Sequence, residues 1–210
     1  MPKHYDRQYF DRWYREDAAG IGRTALLRRK VALAVAMAEH YLGRPLRSVL
    51  DVGCGEGAWR APLLKLRPGL DYLGVDSSDY AVARYGAKRN LRLAQFGRLG
   101  ELRFGAPVDL LVCADVLHYL NAAELQRGLS GFAELCSGVA YIEVYCKGDP
   151  VEGDEHGFVQ RSAAFYRRAI ARAGFTACGS NGYLSQSLAA DAVALELIAP
   201  VVKSSTRRAG

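Results

Sequence analysis

Short apolar runs alternate with longer segments of helical periodicity through most of the chain. Seven runs have the length and composition of strands, at residues 48–52, 71–76, 91–94, 107–113, 139–145, 175–183 and 192–198. The fourth run is almost wholly apolar, which is typical of a strand buried on both faces of a parallel sheet. The pattern therefore predicts an α/β domain with a mostly parallel sheet at its centre.

Between these runs lie segments with helix-like spacing of apolar residues. They span residues 23–42, 58–66, 79–88, 122–135 and 162–173. The first follows a break at 20–22 and is stopped by Gly43 and Pro45, as expected at a helix C-terminus. We predict a three-part organisation, with a helical cap at 1–45, a sheet domain at 46–200 and a basic flexible tail at 201–210.

A glycine-rich turn joins the first predicted strand to the helix that follows. Gly53, Gly55 and Gly57 alternate with other residues, and Asp51 precedes them at the end of the strand. Gly53, Gly55 and Ala58 also loosely match a dinucleotide-binding fingerprint. However, a carboxylate at this position repels a pyrophosphate and attracts an ammonium. The turn therefore favours a nucleotide-like ligand that carries positive charge.

A second acid, Asp76, closes the second predicted strand. It lies 19 residues beyond Gly57, where this type of fold places a carboxylate that accepts hydrogen bonds from ribose hydroxyls. An alternative is that Asp76 only contributes to the start of the next helix. Its coincidence with the glycine turn favours the ligand-binding interpretation.

Two stretches carry a resemblance to a known family. The D-x-G-x-G-x-G pattern of residues 51–57 resembles the first motif of class I SAM-dependent methyltransferases, and residues 107–120 resemble the D-L-V-x-x-x-x-V-L-x-H-L segment of members that act on small molecules. The resemblance covers roughly residues 46–198. It implies a doubly wound, seven-stranded sheet of order 3-2-1-4-5-7-6 with strand 7 antiparallel, S-adenosylmethionine (SAM) as cofactor and S-adenosylhomocysteine as product.

The same resemblance implies a set of cofactor-binding residues at the strand ends. They are Asp51, Gly53, Cys54, Gly55, Gly57, Asp76, Ser77, Gln95, Phe96, Cys113, Ala114 and Asp115. The Asp that many relatives carry after the third strand, to contact the adenine amino group, is missing. Gln95 could replace it through its amide oxygen, and Phe96 could stack on the base.

In parallel α/β sheets a ligand binds beyond the carboxyl ends of the strands, so the acceptor is expected near strands four and five. Candidate catalytic residues there are His118, Tyr145 and His156. His118 could act as a general base, since neutral imidazole accepts a proton near pH 7, or it could merely hold the local backbone. His156 with Asp154 and Glu155 could bind a metal, but such acidic loops are usually just solvated, and we predict none.

Aromatic residues dominate the start of the chain, and Tyr5, Tyr9 and Trp13 recur at every fourth position. In a helix they form one stripe, which could be core or could belong to a lid over cofactor and acceptor. The run at residues 9–14 resembles the leader segments of small-molecule methyltransferases, which favours the lid interpretation. Candidate lid and substrate residues are Tyr5, Tyr9, Phe10, Trp13, Tyr14 and Tyr119.

Composition adds limits rather than a function. A chain of 210 residues, half of them apolar, suits one domain with a sizeable core. The net charge of +6 comes mostly from scattered residues and is typical of a solvated surface. Five widely spaced cysteines without metal-ligand spacing indicate reduced thiols and a cytoplasmic protein. The apolar run at 31–38 is too short to span a bilayer, so no membrane association is expected.

Several acceptor classes stay open at this stage. Basic charge permits an RNA or DNA substrate, but residues 114–117 lack the N/D/S-P-P-Y/F motif of enzymes that methylate base amino groups. A protein acceptor and a non-catalytic SAM-binding module are further alternatives, although a pure scaffold needs neither Asp51 nor Asp76. We therefore expect methyl transfer to an O, N or C atom of a small molecule, without a nucleic-acid partner.

Overall fold

The fold is taken from a computed structural model, which describes residues 5–16, 24–151 and 154–198. The predicted break at 20–22 and the predicted tail at 201–210 lie outside the described residues. Within the described ranges no helix is long and apolar enough to cross a membrane.

The described residues form a seven-stranded sheet of order β3-β2-β1-β4-β5-β7-β6. Its strands are β1 (Ser48–Val52), β2 (Asp71–Asp76), β3 (Leu91–Leu93), β4 (Val108–Ala114), β5 (Cys136–Glu143), β6 (Phe175–Gly179) and β7 (Gly182–Ser185). β1 pairs in parallel with β2 and β4, whereas β7 runs antiparallel to β5 and β6. The predicted fold class and strand order are therefore confirmed.

Helices cover both faces of this sheet. They are α1 (Arg7–Asp11), α2 (Thr24–Leu42), α3 (Arg60–Leu66), α4 (Asp79–Arg89), α5 (Ala122–Leu129), α6 (Phe132–Leu135), α7 (Ala163–Arg172) and α8 (Gln186–Asp191). One core cluster joins α2, α3 and one face of the sheet, and a second joins α5, α6, α7 and the other face. This two-sided burial explains why the central strands are apolar on both faces.

α2 is part of the first core cluster. Val31, Ala34, Val35 and Ala38 recur at helical spacing and are buried against the sheet. Just beyond the helix, Arg44 donates two hydrogen bonds to the Asp109 carboxylate, at 2.8 and 2.7 Å, and so fixes the following chain to β4. Of the described part of the predicted cap, residues 5–16 lie over the strand ends, and α2 reaches the same edge of the sheet through Lys30.

The final strand pair differs from the prediction. The structure forms a hairpin between β6 and β7 within the predicted strand 175–183, and residues 192–198 contain a 3₁₀ turn instead of a strand. Ser180 and Asn181 have φ of 49° and 64°, the left-handed pair that a two-residue hairpin turn requires. The run of turn-forming residues at 179–182 is the sequence signal for this turn, and the prediction of one long strand overlooked it.

The prediction of one continuous helix at 122–135 is also wrong, because the structure has two helices there. The segment divides into α5 and α6 because Gly131 passes close to another backbone, where an added Cβ would lie 2.5 Å from the Leu99 carbonyl oxygen. Because α6 ends at Leu135, β5 begins at Cys136, three residues before the predicted strand start, and ends at Glu143. This places the Glu143 side chain at the carboxyl edge of the sheet.

Candidate functional site

The glycine turn after β1 has the geometry that requires glycine. Gly53, Gly55 and Gly57 have φ of 70°, 53° and 78°, which other residues adopt only with strain. The Gly53 and Cys54 N–H groups donate to the Val75 carbonyl at 2.8 and 3.1 Å, so the turn is tied to β2. A Cβ on Gly53 would lie 2.2 Å from a Val116 methyl carbon. The turn therefore leaves its backbone bare on the ligand side.

Asp76 lies at the end of β2, directly beside this turn. Its carboxylate accepts hydrogen bonds from the Gly55 N–H at 2.7 Å and from the Ser78 N–H at 2.8 Å. Burial raises the pKa of Asp76, and these backbone donors oppose that rise. Two carboxylate oxygens fixed in this way can still accept further hydrogen bonds from a ligand's hydroxyl groups.

Asp51 is buried beneath the turn, with only 2% of its surface exposed. The Tyr72 hydroxyl donates a hydrogen bond to it at 2.8 Å. Burial raises the pKa of Asp51 to about 7, with a smaller contribution from the negative charge of Asp76, while the Tyr72 hydrogen bond acts in the opposite direction. A cation bound nearby would favour the ionised form.

A cavity of about 1260 Å³ opens at the carboxyl ends of the strands. This exceeds the ~300–1,000 Å³ of ordinary ligand pockets and is enough for two ligands side by side. The sequence-predicted site residues that line it are Asp51, Gly53, Cys54, Gly55, Asp76, Ser77, Gln95, Phe96, Ala114, Asp115, Tyr5, Tyr9, Phe10, Trp13, Tyr14, Tyr119, Tyr145 and His156. Gly57, Cys113 and His118 are not among the lining residues. The structure thus brings most of the predicted residues to one cavity.

His118 lies below the cavity surface and is 1% exposed. Its ring packs against those of Tyr119, Tyr145 and Phe158, with centroid separations of 4.1, 5.5 and 5.3 Å. His156, by contrast, is exposed at the rim, where its backbone N–H donates to the Asp154 carboxylate at 2.9 Å. The two histidines therefore lie in different environments, and only His156 reaches the cavity.

The two residues predicted to contact adenine lie in different environments. Gln95 is exposed at the cavity, whereas Phe96 is buried in the core beside Gly128 and the ring of Phe132, 5.8 Å away. A Cβ on Gly128 would lie 2.2 Å from the Phe96 ring. Phe96 is thus held firmly and presents only part of its ring to the cavity.

The N-terminal segment, residues 5–16, lies over the glycine turn. α1 is capped by Asp6 and continues into a π-helical turn at Arg12–Glu16. Its buried aromatic residue is Phe10, which stacks on Tyr80 with ring centroids 5.7 Å apart. The Tyr14 hydroxyl approaches Gly55 so closely that a Cβ there would lie 2.3 Å away. The contacts to the turn thus come from Phe10 and Tyr14, beside the predicted stripe.

Polar contacts tie the same segment to the sheet domain. Arg15 donates to the Glu56 carboxylate at 2.8 Å and to the Tyr85 hydroxyl at 3.0 Å. The Ser78 hydroxyl donates to the Tyr5 carbonyl at 2.6 Å. An ion pair, hydrogen bonds and ring stacking therefore hold the segment against the sheet domain.

Two charged cavity residues were missed by the sequence analysis. Glu143 at the end of β5 forms an ion pair with Lys30 of α2, at 2.7 Å. Both line the cavity next to Asp115. An acid at the end of an apolar strand is a visible signal for Glu143, but nothing in the local sequence brings Lys30 to it. Among the described residues no group of three or more His, Cys, Asp or Glu side chains could hold a metal ion.

The chain is similar to known methyltransferases in sequence over part of its length. Residues 50–138 match a family model described as a methyltransferase domain. The trans-aconitate 2-methyltransferase of Deinococcus radiodurans is 39% identical over 79 residues. That alignment covers 37% of this chain and only 30% of the enzyme's length.

Solved structures extend the similarity over most of the chain. A sugar N-methyltransferase from a Streptoalloteichus species superposes with a TM-score of 0.63 at 20% identity, covering 84% of this chain and 92% of that one. Magnesium protoporphyrin IX methyltransferase from Synechocystis, solved with bound S-adenosylhomocysteine, gives 0.58 at 20% identity, with 81% and 86% covered. At these identities the likeness establishes the fold.

Proposed function

We propose that the chain is a class I methyltransferase and that it transfers a methyl group from SAM to a small-molecule acceptor. The observation that carries the proposal is the arrangement of Asp51, Asp76 and the bare glycine turn around one cavity. Sequence similarity to a methyltransferase family over residues 50–138 supports the same conclusion.

The acidic side chains of this region fit SAM. SAM supplies a methyl group on a positively charged sulfur, together with an α-ammonium, a carboxylate and a ribose. Asp76 is positioned to accept from ribose hydroxyls, because the Gly55 and Ser78 N–H groups fix its carboxylate. Asp51 is a buried acid near the turn, and its ionised form favours an ammonium over a phosphate.

The cavity and its cover favour a compact acceptor. Residues 5–16 lie across the cavity and are proposed to act as a lid, which excludes water and aligns the acceptor. A covered cavity suits a small molecule, whereas a polymer needs an open groove. The trans-aconitate methyltransferase and the porphyrin methyltransferase among the similar proteins also have small acceptors by name.

The tyrosines of the cavity contribute as neutral groups. Burial raises the pKa values of Tyr5, Tyr9 and Tyr119 well above their usual range, with nearby negative charges adding to the effect. These phenols therefore stay protonated at neutral pH and serve as hydrogen-bond groups and apolar walls. Transfer by in-line displacement needs mainly alignment of the acceptor with the methyl group.

The cofactor assignment is tested at Asp76. Loss of charge-assisted hydrogen bonds predicts that Asp76→Ala weakens SAM binding roughly 10- to 150-fold in calorimetry. Asp71→Ala is the matched control, because Asp71 is an exposed acid at the opposite end of the same strand. Unchanged affinity in a folded Asp76→Ala protein would contradict the assignment.

Labelled methyl transfer from SAM into a small-metabolite fraction, compared with total RNA and total protein, tests the acceptor class. We expect label in the metabolite fraction with the wild type and the Asp71→Ala control, and much less with Asp76→Ala. Label only in RNA or protein would overturn the small-molecule proposal and leave the SAM assignment intact.

A further inference from the structure

The carboxyl ends of β4 and β5 carry a charged cluster that has no role in the cofactor region. Asp115 follows β4, Glu143 ends β5, and the Asp115 N–H donates to the Glu143 carbonyl at 3.0 Å. Lys30 reaches the same place from α2 and pairs with one Glu143 oxygen at 2.7 Å. With two acids and one base, the cluster is net negative when both acids are ionised.

Each acid of this cluster keeps one buried oxygen without a hydrogen bond. Within the described part of the chain, Asp115 Oδ1 and Glu143 Oε2 have no partner and are closed to solvent. Buried acceptors in proteins are normally satisfied, because leaving them unpaired is costly. A bound molecule with N–H or O–H donors would satisfy both oxygens.

The backbone at Asp115 is held in an unusual conformation. Its φ is 61°, in the left-handed region that a non-glycine residue adopts at an energetic cost. Such positions persist where the surrounding structure fixes them and are common at ligand sites. Here the hydrogen bond to the Glu143 carbonyl fixes the residue at the cavity wall.

Aromatic rings complete the surroundings of the two acids. Trp13, Tyr119 and Tyr145 line the same cavity. The Tyr119 phenol is close enough to Asp115 to feel its charge. Aromatic faces attract cations, and rings combined with carboxylates are a common environment for ammonium groups. A carboxylate ligand would instead be repelled by the net negative charge.

We propose that the methyl acceptor is an amine, whose nitrogen is held by the carboxylates of Asp115 and Glu143. This inference rests on the proposed methyltransferase function and names its substrate class. It assigns the Asp115 side chain to the acceptor, whereas the sequence analysis placed Asp115 among the cofactor-binding residues. Lys30 is a positioning residue, since it holds one oxygen of Glu143 and leaves the other for the acceptor.

The chemical step follows from this placement. An ammonium nitrogen has no free electron pair, so one proton first passes to the Asp115 carboxylate, whose pKa burial raises to about 6. The freed electron pair then forms the N–C bond to the methyl carbon as the C–S bond breaks, and the electrons of that bond pass to sulfur. The products are a methylated ammonium and S-adenosylhomocysteine, and the proton on Asp115 returns to solvent.

The test compares acceptors that differ in one functional group. Phenethylamine, 2-phenylethanol and phenylacetate form one matched set, and spermidine is a larger amine. Binding to the protein preloaded with S-adenosylhomocysteine is measured by calorimetry, and methyl transfer by label from SAM. We expect the amines to bind roughly 10-fold or more tightly than the alcohol and the carboxylate. If no amine is bound or methylated better than its counterparts, the proposal is overturned.

Variants of the two acids identify the residues responsible. Asp115→Asn keeps the side-chain size and tolerates a positive φ, since Asn adopts this conformation more readily than most residues. Asp115→Asn and Glu143→Gln should each lower amine affinity roughly 10-fold or more while SAM affinity changes less than twofold. Asp71→Asn, an exposed acid far from the cavity, is the control. Amine affinity that is unchanged in both acid variants would also overturn the proposal. A wild-type protein that does not bind SAM would instead refute the proposed function itself.

Discussion

The proposed cofactor half and the proposed acceptor half of the cavity are built in different ways. Around β1 and β2, Asp76 accepts hydrogen bonds from the Gly55 and Ser78 backbone, so the site is held by groups close to the strand ends. Around β4 and β5, in the part of the chain that the structure describes, Asp115 and Glu143 each leave a buried oxygen without a hydrogen bond, and the Lys30 that pairs with Glu143 comes from α2. Backbone donors satisfy Asp76 in the first half, whereas in the second half the proposed amine would supply the donors for the two acids.

The difference teaches where specificity resides. A backbone-based site can serve one cofactor in many proteins, because it depends on turn geometry rather than on side-chain identity. Side chains that converge from β4, β5 and α2 can be changed one at a time without disturbing the turn. We therefore expect substitutions in the cofactor half to abolish binding and activity, and those in the acceptor half to change acceptor choice.

The largest expected effect concerns the glycine turn. Gly53→Ala should destabilise the fold by about 2–4 kcal/mol, because it adds strain at positive φ and a contact with Val116. SAM affinity should fall on the order of 100-fold as the turn moves. Calorimetry and chemical unfolding provide the two measurements.

Gly43→Ala is the matched control for backbone strain. Gly43 has a similar φ of 62°, but an added Cβ there meets no atom within 4 Å. It should lose about 1–2 kcal/mol of stability and keep SAM affinity. Equal losses in the two variants would show that close packing at Gly53 is unimportant.

A smaller effect is expected from removal of the charge at Asp51. In the wild type, SAM affinity should fall as the pH drops below about 7, because Asp51 takes up a proton and loses its attraction for the ammonium. Asp51→Asn should bind SAM roughly 10-fold more weakly at pH 8 and show a flatter pH profile. Calorimetry across pH 6–8.5 measures both.

Ionisation of Asp51 should affect folding in the opposite way: SAM affinity rises with pH, whereas the free energy of unfolding falls. The folded-state pKa of Asp51 lies above its ordinary value of 3.8, so the folded protein binds the extra proton, and its stability decreases as the pH rises from about 4 to 7. Asp51→Asn removes this penalty and should raise the free energy of unfolding at pH 8. A less stable variant at pH 8 would argue against a costly buried charge at Asp51.

The smallest effect concerns the lid. Arg15→Gln removes the ion pair to Glu56 while residues 5–16 keep their ring contacts. Because Arg15 is partly exposed, we expect only a roughly 2- to 5-fold rise in KM for SAM, with little change in unfolding. Arg7→Gln is the control, since the ion pair of Arg7 with Asp11 lies within the segment. Equal effects in both variants would exclude a specific role for the contact with Glu56.

Local patterns predicted most of the strands, because each buried strand carries its own apolar signal, whereas the strand order came from the resemblance to a known family. Local patterns also placed Asp51, Asp76, Gly53 and Gly55 at one cavity, since these residues lie at strand ends or directly after them. Patterns failed where distant contacts decide. Gly131 ends α5 because it meets the Leu99 backbone, and no local signal reveals this approach.

The acceptor half shows the same limit more clearly. The motif around His118 predicted a catalytic residue, yet the rings of Tyr119, Tyr145 and Phe158 pack around His118 below the cavity surface. Lys30 belongs to a helix whose sequence predicts only core packing, but its terminal amine reaches β5. Long side chains from separate elements converge at the carboxyl end of β5, and spacing along the sequence does not predict such contacts.

If residues 5–16 act as the proposed lid, we expect the contact between the Tyr14 hydroxyl and Gly55 to control how fast the proposed cofactor exchanges. A ligand that lies on the glycine turn has to pass residues 5–16, so entry requires the segment to move away first. The observed association rate constant is then the encounter rate multiplied by the fraction of molecules in the open state. S-adenosylhomocysteine leaves by the same route, and the opening rate of the segment becomes an upper limit on the turnover number.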